Sequence, residues 1–516
     1  MSVTLKKEKI QTSELVYQKY NRITVESDVN VPDINPDILK VLDVSGYITV
    51  SEKSIRNGKL YICGTVTTTV LYAPDGDVFS AVKSLTSTHD FNHTIDLPET
   101  DGSENLYVET EAETFAYTLL NSRKISLRCI IGANTKLTCP ADIELASTCE
   151  DACGICTKSR KIRVCNSAVN SESRVSVCEQ RELSSDMPPV SEILKTTVTP
   201  ELEDLIMSED KAIVKGQVKL CTLYISADDG SVQKFEYTLP FGEALDAVGA
   251  EDDMDADIDF SVSNLYCEVR DDSDGEPRII GIDLCLSAVI RGISIIETEV
   301  ITDAYSTEGK TSLTHRPVKI EQLHDNTTTR LTHKSSLSIP HTLPEIREVC
   351  DVRSSASVNG ISISNGEILI GGTIKTSVLY IAADDDLPLC AYTDTSEFSH
   401  SVPSPGIPDT AVCDARTCVE HTSFSMNGSR DMETRTVLGI SVRSFTADEV
   451  STVDDIELLT DDDRTKQACI SICFASDGDT LWDIAKRYRT TVDSVKEQNK
   501  LTSDTLNIGQ QIKICK

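Results

Sequence analysis

Three stretches of this chain repeat one another. "GKLYICGTVTTTVLYAPDGD" begins at Gly58, "DKAIVKGQVKLCTLYISADDG" at Asp210 and "GEILIGGTIKTSVLYIAADDD" at Gly366. Each alternates apolar and polar residues, passes a glycine (Gly64, Gly216, Gly372) and ends in Leu-Tyr before an Asp/Gly turn. Alternation with a period of two marks a strand with one buried face, and the turn residues predict a hairpin. The tyrosines Tyr72, Tyr224 and Tyr380 recur about every 150 residues, an ordinary domain length. Units of that size can each hold a core, so the expectation is three beads with their own cores, not a stacked solenoid.

The flanks repeat more loosely. "VPDINPDILKV" from Val31, "MPPVSEILKT" from Met187 and "IPHTLPEIREV" from Ile339 read as proline-opened helical turns anchored by Ile38, Ile193 and Ile346. "LNSRKISLRCII", "GEPRIIGIDLCLSAVI" and "METRTVLGISVRS" follow as further alternating strands. The expected fold class is therefore mainly β. Three strand-rich domains, sandwich- or barrel-like with one short helix each, are expected at 1–145, 146–305 and 306–455. The acidic run "DDIELLTDDDRTKQ" suggests a solvated linker over 456–467, ahead of a small module at 468–516.

Charge narrows the function. The formal net charge is −34, which disfavours sequence-independent nucleic-acid binding and anionic membrane surfaces. No apolar run is long enough to span a bilayer, and "MSVTLKKEKIQTSELVY" lacks the apolar core of a secretory signal. A cytosolic chain is expected, its 18 cysteines mostly free thiols. From Cys469 onward seven basic residues face six acidic ones, so the tail stands apart by charge.

That tail holds the chain's one tryptophan. "ACISICF" alternates like a strand. "DGDTLWDIAKRY" reads as a helix capped by Asp479 or Thr480, with Leu481, Ile484, Ala485 and Tyr488 as its buried stripe. "TTVDSVKEQN" is a second helix, capped by Thr490 or Thr491, and "NIGQQIKI" a closing strand, giving a βααβ order. Trp482 falls beside the stripe, half packed and half offered to a partner.

"GDTLWDIAKRY…VDSVKEQNKL…LNIGQQIKI" resembles a LysM domain, departing from it at Cys515, where that family usually has proline. The resemblance implies a groove that grips N-acetylglucosamine polymers. The partner- or glycan-binding residues it points to are Asp479, Thr480, Leu481, Trp482, Lys486, Asn499, Leu501, Ile508 and Gly509. "VPDINPDILKVLDVSGYITV" with "LYICGTVTTTVLY" is similar to the SPOCS domains of sporulation proteins. SPOCS copies ahead of a LysM domain resemble the SipL-like spore-coat morphogenetic proteins. The resemblance implies a non-enzymatic scaffold in the mother-cell cytoplasm at the forespore surface. Its LysM domain would bind the coat ATPase SpoIVA, and other coat proteins would be partners.

Motifs that suggest chemistry fail on their surroundings, so no catalytic residue, metal or cofactor is expected. "CEDACGIC" spaces Cys149, Cys153 and Cys156 like cluster ligands, but between strand-rich units rather than in a βα barrel; zinc would need Cys139 or Cys165 as well. "AYSTEGKT" from Ala304 mimics a phosphate loop but is crowded by Tyr305 and Glu308. An EF-hand frame from Asp253 puts Ile258 where glycine is needed. "LPETD" from Leu97 approaches a sortase signal without its glycine. His93 and His400 match between copies one and three, but copy two has no histidine there.

Overall fold

The computed structural model describes residues 3–76, 80–98, 105–149, 154–252, 254–384, 389–459, 470–501, 503 and 505–515. The first repeat is six antiparallel strands: β1 (Leu5–Asn30), β2 (Ile38–Arg56), β3 (Lys59–Pro74), β4 (Lys83–Asp96), β5 (Asn105–Asn121) and β6 (Lys124–Cys149). The second has β7 (Ile155–Glu182), β8 (Val190–Ser208), β9 (Lys211–Ser226), β10 (Val232–Asp246), β11 (Asp255–Asp271) and β12 (Pro277–Ser306). The third has β13 (Lys310–Ser338), β14 (Ile346–Ser364), β15 (Glu367–Ala382), β16 (Leu389–Pro403), β17 (Val412–Met426) and β18 (Asp431–Leu459).

In the first repeat β2-β3-β4 form one sheet and β1-β6-β5 another. The alternation read in the sequence puts Leu60, Ile62 and Val66 of β3 on the inner face, against Ile131 and Ala133 of β6. The other repeats copy this sandwich, with β9 and β15 as central strands. The fold is mainly β, as expected.

The proline segments are not helical. Asn35 N–H donates to the Pro32 carbonyl, and Leu343 N–H to that of Pro340, closing single turns that lead straight into β2 and β14. Prolines at both ends of so short a segment remove the amides a helix would need. Instead the repeated tyrosine holds the turn: Tyr72, Tyr224 and Tyr380 donate to the carbonyls of Pro36, Pro188 and Pro344 at 3.4, 3.1 and 3.0 Å. An arginine clamps it from the other sheet. Arg123 reaches the Pro32 carbonyl, Arg278 that of Met187 and Arg430 that of Leu343.

The repeated glycines also find a reason. Gly64, Gly216 and Gly372 lie opposite Phe91, Phe241 and Phe398, whose rings cover them. The recurring residue is the phenylalanine, and the histidine beside it is incidental. A methyl group on Gly216 would run into the Glu201 carbonyl and the Phe241 ring. Gly216→Ala should cost about 1–3 kcal/mol in urea unfolding. Gly242→Ala, with nothing nearer than 3.8 Å, should cost far less.

The repeats are not independent beads. The long strands run past their own sandwiches, and Ile10, Leu145, Ile162, Val164, Val300, Val318, Ile320 and Val450 from all three repeats form one buried cluster. A second shared cluster holds Leu71, Leu223 and Leu379 from equivalent positions. Gln322 of β13 pairs with Val164 of β7, joining the second and third repeats in the six-stranded order β11-β12-β7-β13-β18-β17. Domain-sized length did not rule out shared cores, because the excess length of the outer strands has no core of its own.

A ring of ion pairs follows the same pseudo-threefold pattern. Lys136, Arg291 and Arg443 are equivalent, facing Tyr107, Asp257 and Asp414 across their own sheets. Each also meets an acid of another repeat: Lys136 with Asp414 at 3.9 Å, Arg443 with Asp257 at 3.7 Å, Arg291 with Glu109 at 3.2 Å. The presumed linker begins inside this body: Ile456 is buried in β18, and Lys310 to Leu323 pair back along its end. Residues 460–467 of that linker lie outside the described residues.

Candidate functional site

The C-terminal module is a small sheet with two helices on one face. Strand β19 (Ile470–Phe474) pairs antiparallel with a closing strand, and helices α1 (Leu481–Tyr488) and α2 (Val492–Asn499) lie between them in sequence. The closing strand is β20 (Gln511–Cys515). The βααβ order agrees with the sequence reading. Thr480 caps α1 in a reciprocal box with Asp483, and Arg489 ends it in the left-handed conformation. Thr491 caps α2. Leu481, Ile484, Ala485, Val495, Ile512 and Ile514 make the core.

The core also takes in a residue from elsewhere. Tyr305, near the end of β12, is 2% exposed and packs into this module. Its ring meets Trp482 edge-on, with centroids 4.8 Å apart, and its hydroxyl donates to the Thr490 carbonyl at 2.7 Å. Trp482 and Lys486, one turn apart on α1, both reach Asp303. The indole N–H donates to Asp303 Oδ2 at 2.8 Å, and Lys486 Nζ contacts Oδ1 and Oδ2 at 2.5 and 2.7 Å. Trp482 is thus an anchor, as its position beside the stripe suggested, but what it anchors is its own module to the second repeat. The face of Trp482 and Lys486 expected to meet a partner is occupied.

The other expected site residues divide into three groups. Leu481 is core, 1% exposed. Asp479, Thr480 and Asn499 hold the loops in shape. Asp479 accepts from Ser476 N–H and from Arg487, and Asn499 bonds both the N–H and the carbonyl of Lys513. Leu501 is half-buried against the core, whereas Ile508 and Gly509 lie exposed on the loop before β20. Asp303 and Tyr305 were not legible as site residues, since no local pattern links positions 179 residues apart. The stretch that mimicked a phosphate loop is this docking strand and its turn, followed directly by β13 rather than a helix. Cys149 pairs with Leu5 at the end of β6, and Cys156 lies opposite Tyr305; Cys153 lies outside the described residues.

Burial pushes the Asp303 carboxyl up, but the hydrogen bonds from Lys486 and Trp482 outweigh it and hold the group below its usual value. A depressed carboxylate stabilises the docked state above its free value and loses that contribution as pH falls through the docked one. Docking should therefore persist at neutral pH and weaken below about pH 4. The fluorescence of the sole tryptophan reads this directly, and Asp303→Asn should flatten the acid transition.

Comparison with known proteins finds matches inside each repeat and in the C-terminal module. The SPOCS domain model of SipL matches residues 37–120, 189–270 and 345–427, and the LysM domain model matches 477–514. The chain carries three SipL SPOCS domains and a LysM domain. Both families are non-catalytic binding domains. Each SPOCS match covers the four inner strands of a repeat, leaving out most of the long strands that join the repeats. The probable peptidoglycan endopeptidase LytE of Bacillus subtilis (strain 168) is 46% identical over 37 residues. That stretch is 7% of this chain and 11% of the relative. No solved structure matches the chain. No helix among the described residues is long and apolar enough to cross a membrane.

Proposed function

We propose that this chain is a non-enzymatic scaffold of spore-coat assembly, acting in the mother-cell cytoplasm at the forespore surface. Its LysM domain binds a protein partner, the coat morphogenetic ATPase SpoIVA, while the SPOCS body meets other coat proteins. The observation that carries this reading is the outer face of β19. Ile470, Ile472 and Phe474 stand there 59%, 53% and 64% exposed, in a strand whose inner face is already filled. Three exposed apolar side chains in a row suit a protein surface better than a sugar chain's hydroxyls. The groove side offers less, because Asp479 and Asn499 are bonded to their own module.

The likeness to LytE supports a second reading, in which exposed Ile508 and Gly509 line a groove for N-acetylglucosamine polymers. Binding of the full chain to purified SpoIVA and to insoluble peptidoglycan separates the two. The scaffold reading expects Phe474→Glu to lower affinity for SpoIVA by roughly 30-fold or more. Retention on peptidoglycan that survives Phe474→Glu, without measurable binding to SpoIVA, would establish the glycan reading instead.

A further inference from the structure

The central inner strands of the three SPOCS domains share one buried cluster. Thr69, Cys221 and Ser377 are equivalent, two residues before the shared-cluster leucines Leu71, Leu223 and Leu379. A second equivalent set is Leu42, Leu194 and Cys350, each following the residue paired with the repeated tyrosine. The equivalents of Cys221 are thus threonine and serine, and the equivalents of Cys350 are both leucine. Between the second and third domains both positions are cysteine. Cys221 Sγ lies 3.6 Å from the Cys350 carbonyl oxygen, and Cys350 adds a smaller share to the burial that raises the Cys221 thiol.

We propose that Cys221 and Cys350 form a disulfide site that covalently joins the second and third SPOCS domains when the chain meets a disulfide oxidant. Cys221 is partly exposed and Cys350 is buried, which sets the order of events. The Cys221 thiol loses its proton and attacks one sulfur of an oxidant such as glutathione disulfide. One glutathione thiolate leaves, and a mixed disulfide forms. The deprotonated Cys350 sulfur then attacks Cys221 Sγ and expels the second glutathione. Two protein thiols are oxidised and one disulfide is reduced, the two protons given up by the protein thiols passing to the two departing glutathione thiolates. Burial pushes both thiols up to about 12, so exchange is slow at neutral pH and the bond, once made, is shielded from reductant.

The test uses the full chain, treated with glutathione disulfide under native conditions, acid-quenched, alkylated and digested without reduction. Mass spectrometry should find the peptides containing Cys221 and Cys350 joined. The melting temperature of the oxidised chain should rise by roughly 5–10 °C. That rise should be absent from Cys221→Ser and from Cys350→Ser. The nearest competitor is Cys267, whose thiol lies 3.5 Å from Thr196 Oγ1 in the same domain as Cys221. A Cys221–Cys267 link, a Cys221–glutathione adduct with Cys350 still alkylated, or both thiols alkylated after oxidation would each overturn the proposal.

Discussion

Arg291→Met should destabilise all three SPOCS domains together, by about 3–5 kcal/mol. Arg291 is 8% exposed and holds three carboxylates: Asp257 at 2.8 Å, Asp259, and Glu109 of the first domain. Methionine keeps much of the volume but leaves three carboxylates facing one another, with Arg416 at 2.9 Å remaining for Glu109 and Arg443 at 3.7 Å for Asp257. The comparison is Lys136→Met, the equivalent position, where the ion pair spans 3.9 Å and is more open to water. Exposed pairs of that kind contribute under about 1 kcal/mol. Urea midpoints of the two variants measure the difference. Equal shifts would mean that the ring is decoration on a body held together by its apolar clusters alone.

Ile484→Arg and Trp482→Glu should damage the LysM domain in different ways. Ile484 is 0% exposed, so arginine there must either bury an unpaired charge or unfold the module. Trp482→Glu removes the edge-on contact with Tyr305 and sets a carboxylate beside Asp303, which should separate the domain from the second repeat while leaving Leu481, Ile484 and Ala485 packed. Hydrogen exchange distinguishes these outcomes. Ile484→Arg should abolish amide protection throughout both helices. Trp482→Glu should keep protection there and expose the end of β12 around Asp303 and Tyr305. Equal loss in both variants would make Tyr305 an indispensable part of the module's core, and the LysM domain incapable of folding without the second repeat.

What could be read from the sequence follows the range of the forces involved. Alternation in "KLYICGTVTTTVLY" reports which face of β3 is buried, and the cap at Thr480 reports where α1 begins, because both depend on neighbours in the chain. Proline misled: "VPDINP" has the composition of a helix start, but its carbonyls accept from a tyrosine and an arginine more than thirty residues away. The site shows the same division. The amphipathic stripe identified Trp482 as lying at the edge of the core, half packed, which is a local fact. Its partner is set by how three domains close on one another, which no local pattern encodes. The equivalence of Lys136, Arg291 and Arg443 lies likewise in registers that only become comparable once the strands are paired.

The closing of the third domain on the first makes the order of the domains a matter of chemistry. Lys7 of β1 pairs with Asp454 of β18 at 2.7 Å, and the Val3 amide bonds the Ile456 carbonyl, so the body's two ends meet. The three domains therefore sit like the subunits of a small ring-shaped oligomer joined in tandem. Separate identical subunits could not place arginine toward glutamate at one contact and lysine toward aspartate at the next. Within one chain each contact carries its own chemistry, and one member of the ring, the second, seats the LysM domain.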